Sequence, residues 1–499
     1  MKVDSFNAPF MNAYFQRVWT VQEIAMAHAV RVHYGTCAVS WRDFVASALF
    51  TVKQSGGFSK NQEAEINVFQ DMETQWKLLN SLESHFVLPD IYGVESLYDR
   101  FNKENILGKL TPGTAELALV KSKGLNATEP RDKAYAMLWA FPESSAVTDP
   151  LRRADYNKSI EEIYTEYTTA IFVRMRGAPI QFYWVNSTQR NTSLPSWVPD
   201  WKENTTMLFS LWAQDLRSYR AAKEDSGRYK IEIEGRLLRV WGVEHSKIHA
   251  LIRLTEEVRQ SNHSGAEPEV LLEALIDSAE LLKSFIDVSK QIINASSEEI
   301  LERLHRVLHS RRASDGPGPE DQSVFVGTER EVGLSGDLKV SIGLLRITLF
   351  DKLSSLLNDT TVPIEMIRST LAAYLSGHEV HKVLERVQTL PNLPPFFAVA
   401  ISLSPFVNIY HFVYRVLIDH RDKDFFLTDK GNIGIAFHGL AAGDTIALWK
   451  GCPSPMVARK VDAEGRGFYR FHGPAYVDGI MNGEAWITEE GRLQTFELI

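Results

Sequence analysis

Near the start of the chain, apolar positions recur at a helical spacing. Phe15, Val18, Trp19 and Ala25 predict a helix over about Met11 to His28. The pattern then switches to alternation. Val30, Val32 and Tyr34 interleave with Arg31 and His33, which predicts a half-exposed strand ending at Gly35. Ser40 and Asp43 resemble a capping box, followed by a helical stripe of Phe44, Val45, Ala48, Leu49 and Val52; Gln54 to Lys60, with Gly56-Gly57, reads as a loop. Further on, Ser159 and Glu162 have the spacing of a second capping box, and Ile160, Ile163, Tyr164, Tyr167 and Ile171 mark the buried face of the helix it starts. The segment Leu194-Pro195-Ser196-Trp197-Val198-Pro199-Asp200-Trp201 has too much proline for a helix and too many aromatics for a free loop, so a rigid segment laid over the core is expected.

The second half alternates between the two periods. A strand pair is expected from Tyr229 to Leu251, turning at Glu234-Gly235. From about Leu254 to Val387 the periodicity is mostly helical, broken by the polar, Gly/Pro-rich stretch Ser310 to Asp321. The last eighty or so residues hold short apolar runs between glycine-rich turns: Phe425 to Thr428, Gly434 to Ala436, Asp444 to Trp449 and Phe468 to Phe471. That spacing suits a small antiparallel sheet or barrel. The expected class is therefore α/β, then α, then β. The division is 1–220 for the first domain, 221–253 for a strand pair joining the β module, 254–420 for a mostly helical region and 421–499 for the antiparallel β module.

Composition narrows the function. The 499 residues suffice for several domains, and 44% hydrophobic with 23% charged content is ordinary for globular chains. A net charge of -9 without a basic block argues against nucleic acid as a partner. Cys37 and Cys452 are the only cysteines, too few for a disulfide framework or a cysteine zinc site. The opening Met1-Lys2-Val3-Asp4-Ser5 has no apolar signal region, so Asn-x-Ser/Thr triplets such as those at Asn126, Asn157 and Asn186 read as chance, and a cytoplasmic location is expected. Pro394 to Leu417 approaches the roughly 20 apolar residues of a membrane span. Pro405 interrupts it and Asn408, His411 and Arg415 would need desolvation, so a broken pair of buried helices is expected instead.

No nucleophile elbow, phosphate loop or dinucleotide fingerprint is present. His305 and His309, like His378 and His381, lack a third ligand, so no metal is expected. Glu23 is the candidate catalytic residue, with Trp19 in support: four positions apart, both project from one helical face. A carboxylate beside an indole in a partly dry cleft could orient a ribose hydroxyl or stabilise a developing cation. The competing reading is an exposed glutamate at a helix rim, paired with Arg17 or Arg31.

Several of these blocks together resemble the heterokaryon-incompatibility (HET) domain family of filamentous fungi. The resemblance rests on Arg17 to Ala25, Gly35, Trp41, Pro130-Arg131-Asp132-Lys133-Ala134-Tyr135-Ala136, Asp155-Tyr156 and Leu194 to Trp201. Gly443-Asp444, Tyr476 to Met481 and Gly483-Glu484-Ala485 resemble the tail of larger members. It implies nonself recognition, with programmed cell death after fusion of incompatible cells. HET domains are in turn similar to TIR domains, flavodoxin-like modules of which some cleave NAD, using a glutamate in the pattern Trp-Cys-x-x-Glu. Trp19-Thr20-Val21-Gln22-Glu23 keeps the tryptophan and glutamate and replaces the cysteine. The Ala-Leu-Ser-Tyr-x-Trp-Gly block that usually opens the family has no counterpart here, which implies a partial HET domain without its first strand and facing loops. The expectation is thus a nonself-recognition or death-regulating protein with an unidentified protein partner, no catalysis and no cofactor. The alternatives are an NAD-cleaving effector using Glu23, with NAD as substrate, and a scaffold binding protein through its terminal β module.

Overall fold

The computed structural model describes chiefly residues 13–25, 29–41, 125–137, 154–174, 193–202, 219–222, 231–253, 280–309, 423–463, 466–489 and 492–499. The loops expected at 54–60 and 310–321, the histidines 378 and 381, and the apolar stretch 394–417 lie outside them. The chain divides into two compact units, Met1–Ser210 with Ile231–Leu238, and Leu211–Lys230 with Arg239–Ile499.

In the first unit a 3-10 turn, Ala13–Gln16, leads into α1, Val18–Ala25. The β-branched residues of α1 give it modest intrinsic propensity, so tertiary contacts set it. Val18 is fully buried, its N–H donates to the Asn126 carbonyl at 2.9 Å, and the Thr20 hydroxyl donates back to the Tyr14 carbonyl. Strands β1, Arg31–Tyr34, and β2, Cys37–Ser40, form a two-stranded antiparallel sheet around Gly35. Alternation predicts an inward Tyr34, yet its ring is 49% exposed, because the hairpin is exposed along almost its whole length. Cys37–Ser40 is a strand without a sequence signal, and Ser40, its last residue, directly precedes the helical Trp41. Among the described residues β1 has β2 as its antiparallel neighbour, and the parallel flavodoxin-like sheet implied by resemblance is not seen.

A short helix α2, Asp132–Tyr135, follows Pro130. Helix α3, Ile160–Arg174, starts at the expected reciprocal cap: the Ser159 N–H donates to Glu162 Oε2 at 2.8 Å, and the Glu162 N–H to Ser159 Oγ at 3.2 Å. Ile163, Tyr164, Tyr167 and Ile171 are buried as their spacing predicts, with Ile160 half-buried in the first turn. The proline-clamped segment does lie over this helix. Trp201 meets Tyr167 edge-on at 5.3 Å, and Trp197 sits 6.1 Å from Phe172 and donates its indole N–H to the Arg236 carbonyl at 3.0 Å. Prolines fix that backbone in advance, so two large indoles are buried at little entropic cost.

The second unit is built on an antiparallel barrel. Strand β3, Ile231–Glu234, belongs to the first unit and turns at Gly235 into β4, Leu237–Ile252, a strand of 16 residues that continues into the second. The later strands are β5, Lys423–Thr428; β6, Ile433–Phe437; β7, Thr445–Trp449; β8, Met456–Ala463; β9, Arg466–Val477; and β10, Gln494–Leu498. The sheet order is β10-β4-β5-β6-β9-β8-β7, with β7 pairing back onto β4, so the ring closes. Closure depends on the length of β4: Gly242 to Lys247 pair with β7, and Ile248 to Ile252 with β5. Register shifts between Glu244 and Ser246, and between Ile248 and Ala250, bend the strand between its two partners. β10 joins parallel to β9, with Leu498 opposite Tyr469.

Every residue of β5, β6 and β7 is buried, which explains their continuous apolar runs. The inner face holds Val243, Phe426, Leu448 and Val457. Outside, a helix over 283–292 places Phe285 edge-on against Phe425 at 6.3 Å. Helix α4, Ser297–His309, buries Ile300, Leu304 and Val307. Its Arg303 and Arg306 both pair with Asp478, at 3.2 and 2.9 Å. His305 and His309 lie on α4; among the described residues no group of potential metal ligands occurs. A last helix, α5, is Glu484–Glu489.

Candidate functional site

Residues far apart in the sequence meet at Asp132 in the first unit. The Trp19 indole N–H donates to Asp132 Oδ2 at 2.9 Å across 113 positions, and the Tyr156 hydroxyl donates to Oδ1 at 2.7 Å. Asp132 lies in the first turn of α2, where the helix N-terminus also favours a carboxylate. The neighbours are tied down as well. Arg131 Nη1 donates to the Tyr156 carbonyl at 2.9 Å, and its Nε lies 3.6 Å from Glu129. The Tyr164 hydroxyl donates to the Pro130 carbonyl at 2.8 Å. The Tyr135 hydroxyl donates to the Asp155 carbonyl at 2.7 Å and accepts from the Asp155 N–H at 2.9 Å. Lys133, buried, donates its ammonium to the Leu125 carbonyl.

Glu23 sits one turn beyond Trp19 but belongs to a different network. It is exposed, and its carboxylate accepts from the Tyr14 hydroxyl at 2.7 Å; among the described residues this replaces the expected pairing with Arg17 or Arg31. Burial and then the bond to Glu23 push the Tyr14 phenol up to about 12, so it stays protonated and donating at neutral pH. Burial and the Asp132 carboxylate do the same to Tyr156, also to about 12. The Trp19 edge and the Glu23 carboxylate are therefore held by separate partners, Asp132 and Tyr14. Sequence reasoning misses both partners. Asp132 lies within one of the motif blocks, but no local spacing links it to Trp19.

This geometry makes Asp132 a fastening for the unit. Asp132→Ala is expected to remove two charge-assisted bonds and destabilise the unit by about 2–3 kcal/mol, with Tyr156→Phe costing about 1 kcal/mol. Amide hydrogen exchange over 125–137 reads the effect locally. Unchanged protection in Asp132→Ala would show that the carboxylate holds nothing.

The tail motifs of the second unit have the same character. Asp444 is 2% exposed and takes a bidentate fork from Arg459, Nε to Oδ1 at 2.7 Å and Nη2 to Oδ2 at 2.8 Å. It also accepts the Ala441 N–H at 2.7 Å. Asp424, fully buried, accepts from the Gly439 N–H at 3.1 Å, pairs with Arg253 at 3.2 Å and lies 2.6 Å from His438 Nδ1. Arg253 and Arg459 donate in turn to the Leu440 and Gly439 carbonyls. The β6–β7 turn is thus stapled from both sides, with Leu440 packed into the barrel core.

Residues 407–499 match the model of the Het-6 beta-barrel domain, and the fold bears out the barrel, although its closing strand β4 lies upstream of the matched segment. Both comparisons relate the chain to fungal heterokaryon-incompatibility proteins. It is 23% identical over 509 residues to heterokaryon incompatibility protein 6, OR allele, of Neurospora crassa, an alignment covering 97% of this chain. The chain spans just under two thirds of that relative's length, 66%. No solved structure matches.

Proposed function

We propose that this chain acts in fungal nonself recognition, through a protein partner and in the cytoplasm, triggering or restraining cell death without itself turning over a substrate. The relative's name carries incompatibility; the observation that carries the non-catalytic part is the separate engagement of Trp19 by Asp132 and of Glu23 by Tyr14. A nucleotide-cleaving glutamate needs a positioned substrate beside it, and orientation supplies much of the rate in such chemistry. Here the aromatic edge and the acid are committed to holding α1 in place. On this reading the TIR-like pattern Trp19-x-x-x-Glu23 survives as a structural element, and neither NAD nor another cofactor is required.

The alternative is NAD cleavage with Glu23 as the catalytic residue, favoured by the i, i+4 placement of Trp19 and Glu23 and by the exposure of the carboxylate. One experiment separates the two. The purified chain is incubated with NAD and nicotinamide release is followed, while growth arrest is scored in fungal cells expressing wild type or Glu23→Ala after fusion with tester strains. Our reading expects release at background and arrest that survives Glu23→Ala. Release abolished by Glu23→Ala would establish the enzyme instead.

A further inference from the structure

We infer that Gly439 to Ala442 forms a gate across one mouth of the barrel, latched by charged side chains of the rim and opening as a unit while the strands stay paired. Topology places it there. In the closed ring β6 lies between β5 and β9, and β7 between β8 and β4, so β6 and β7 occupy opposite walls. The segment that joins them therefore crosses the mouth. Leu440 is buried in the core cluster with Phe426, Ile446 and Leu448, while Ala442 is exposed. Gly439 and Gly443, with φ of 98° and 89°, bound the crossing in a backbone region that favours glycine, and they supply a hinge at each end.

The rim holds this backbone and keeps its own charges paired when the backbone leaves. Arg253, Asp424, Asp444 and Arg459 each lie one side-chain period from a core residue of their strand: Leu251, Phe426, Ile446 and Val457. They therefore continue the inward phase at the same end of the barrel. Together they satisfy polar groups that a crossing segment carries over an apolar core. Asp424 accepts from the Gly439 and Leu440 N–H groups at 3.1 and 3.3 Å, and Asp444 from the Ala441 N–H at 2.7 Å. Arg459 donates to the Gly439 carbonyl at 3.0 Å, and Arg253 to the Leu440 carbonyl. None of these bonds belongs to a strand ladder. The rim charges also pair with one another, Asp424 with Arg253 at 3.2 Å and Asp444 with Arg459 at 2.7 Å. Lifting the segment thus strands no charge. It costs the burial of one leucine and the rim bonds to backbone, far less than unfolding the ring. The open state turns the apolar interior toward solvent at that mouth.

Native-state hydrogen exchange on the full chain tests this, resolved to single amides and repeated at rising urea below the unfolding transition. In wild type the Gly439, Leu440 and Ala441 amides are expected to be protected, yet to exchange roughly a hundredfold faster than those of Ile435 in β6 and Leu448 in β7. Urea should hardly change the gate amides and should steeply accelerate the strand amides, because the slope follows the surface exposed on opening. Arg253→Lys keeps a cation beside Asp424 but lacks the fork that also reaches the Leu440 carbonyl, so exchange at Leu440 and Ala441 should rise about tenfold. Gate amides that share the rate and urea slope of the strands would show that the segment opens only with the barrel. Gate amides without protection would show that there is no latched state, and unchanged exchange in Arg253→Lys would remove the latch; each result overturns the proposal. The wild-type comparison decides whether or not the variant folds, and the inference stands independently of the functional reading above.

Discussion

Gly242→Ala is expected to destabilise the barrel by about 3 kcal/mol or more, the upper end of the cost of overpacking a filled interior. A methyl group at position 242 would run into the Leu448 carbonyl and come within 2.9 Å of both Trp449 Cα and Trp449 Cδ1. Gly242 pairs with Trp449 in the ladder that closes the ring, so neither backbone can retreat without opening β4 from β7. Gly467→Ala is the control: it is exposed, and its added methyl would meet only the flexible Lys460 side chain, at 3.0 Å. That change should stay within about 1 kcal/mol. Urea unfolding followed by tryptophan fluorescence compares the two, and equal midpoints would show that closure through β4 is dispensable.

Arg459→Ala comes next in size. Removing one member of a buried ion pair strands the other charge, a loss of about 3–5 kcal/mol, and the lower end applies because the Arg459 side chain is 36% exposed. Asp444 would keep the Ala441 N–H as donor but lose both guanidinium bonds inside a nearly dry wall. The bond to Asp444 holds the Arg459 guanidinium above its ordinary range, so it stays charged at any physiological pH. Arg459→Lys should recover part of the loss, since it restores charge without the fork. A melting temperature unchanged in Arg459→Ala would remove the staple from the account of how the β6–β7 turn is held.

Local signals were legible in the sequence wherever the chain decides its own conformation. The Ser159–Glu162 cap, the turn at Gly235 and the apolar runs that became β5, β6, β7 and β9 all depend on neighbours within a few residues. β8 is illegible, because Arg459, Lys460 and Asp462 interrupt its apolar pattern, although it pairs with β9 over eight positions from Met456 to Ala463. β10 is hidden because it offers no apolar run, with Gln494 and Thr495 exposed and only Phe496 and Leu498 buried, and β2 because its residues are exposed and carry no alternation. At the candidate site, Trp19 and Glu23 stand out by their spacing. Asp132, Tyr156 and Tyr14, which determine what those two side chains are used for, do not.

By itself the sequence determined the kind of elements, the antiparallel character of the terminal module and the family the chain resembles, because periodicity, turn chemistry and motif blocks are short-range properties. Only the tertiary structure decided that β4 closes the barrel from outside the segment matching the barrel model, that buried Asp444 and Asp424 are held by Arg459 and Arg253, and that Trp19 and Glu23 answer to different partners. Each of those outcomes joins residues more than a helical turn apart, and their pairing is set by which surfaces the core brings together.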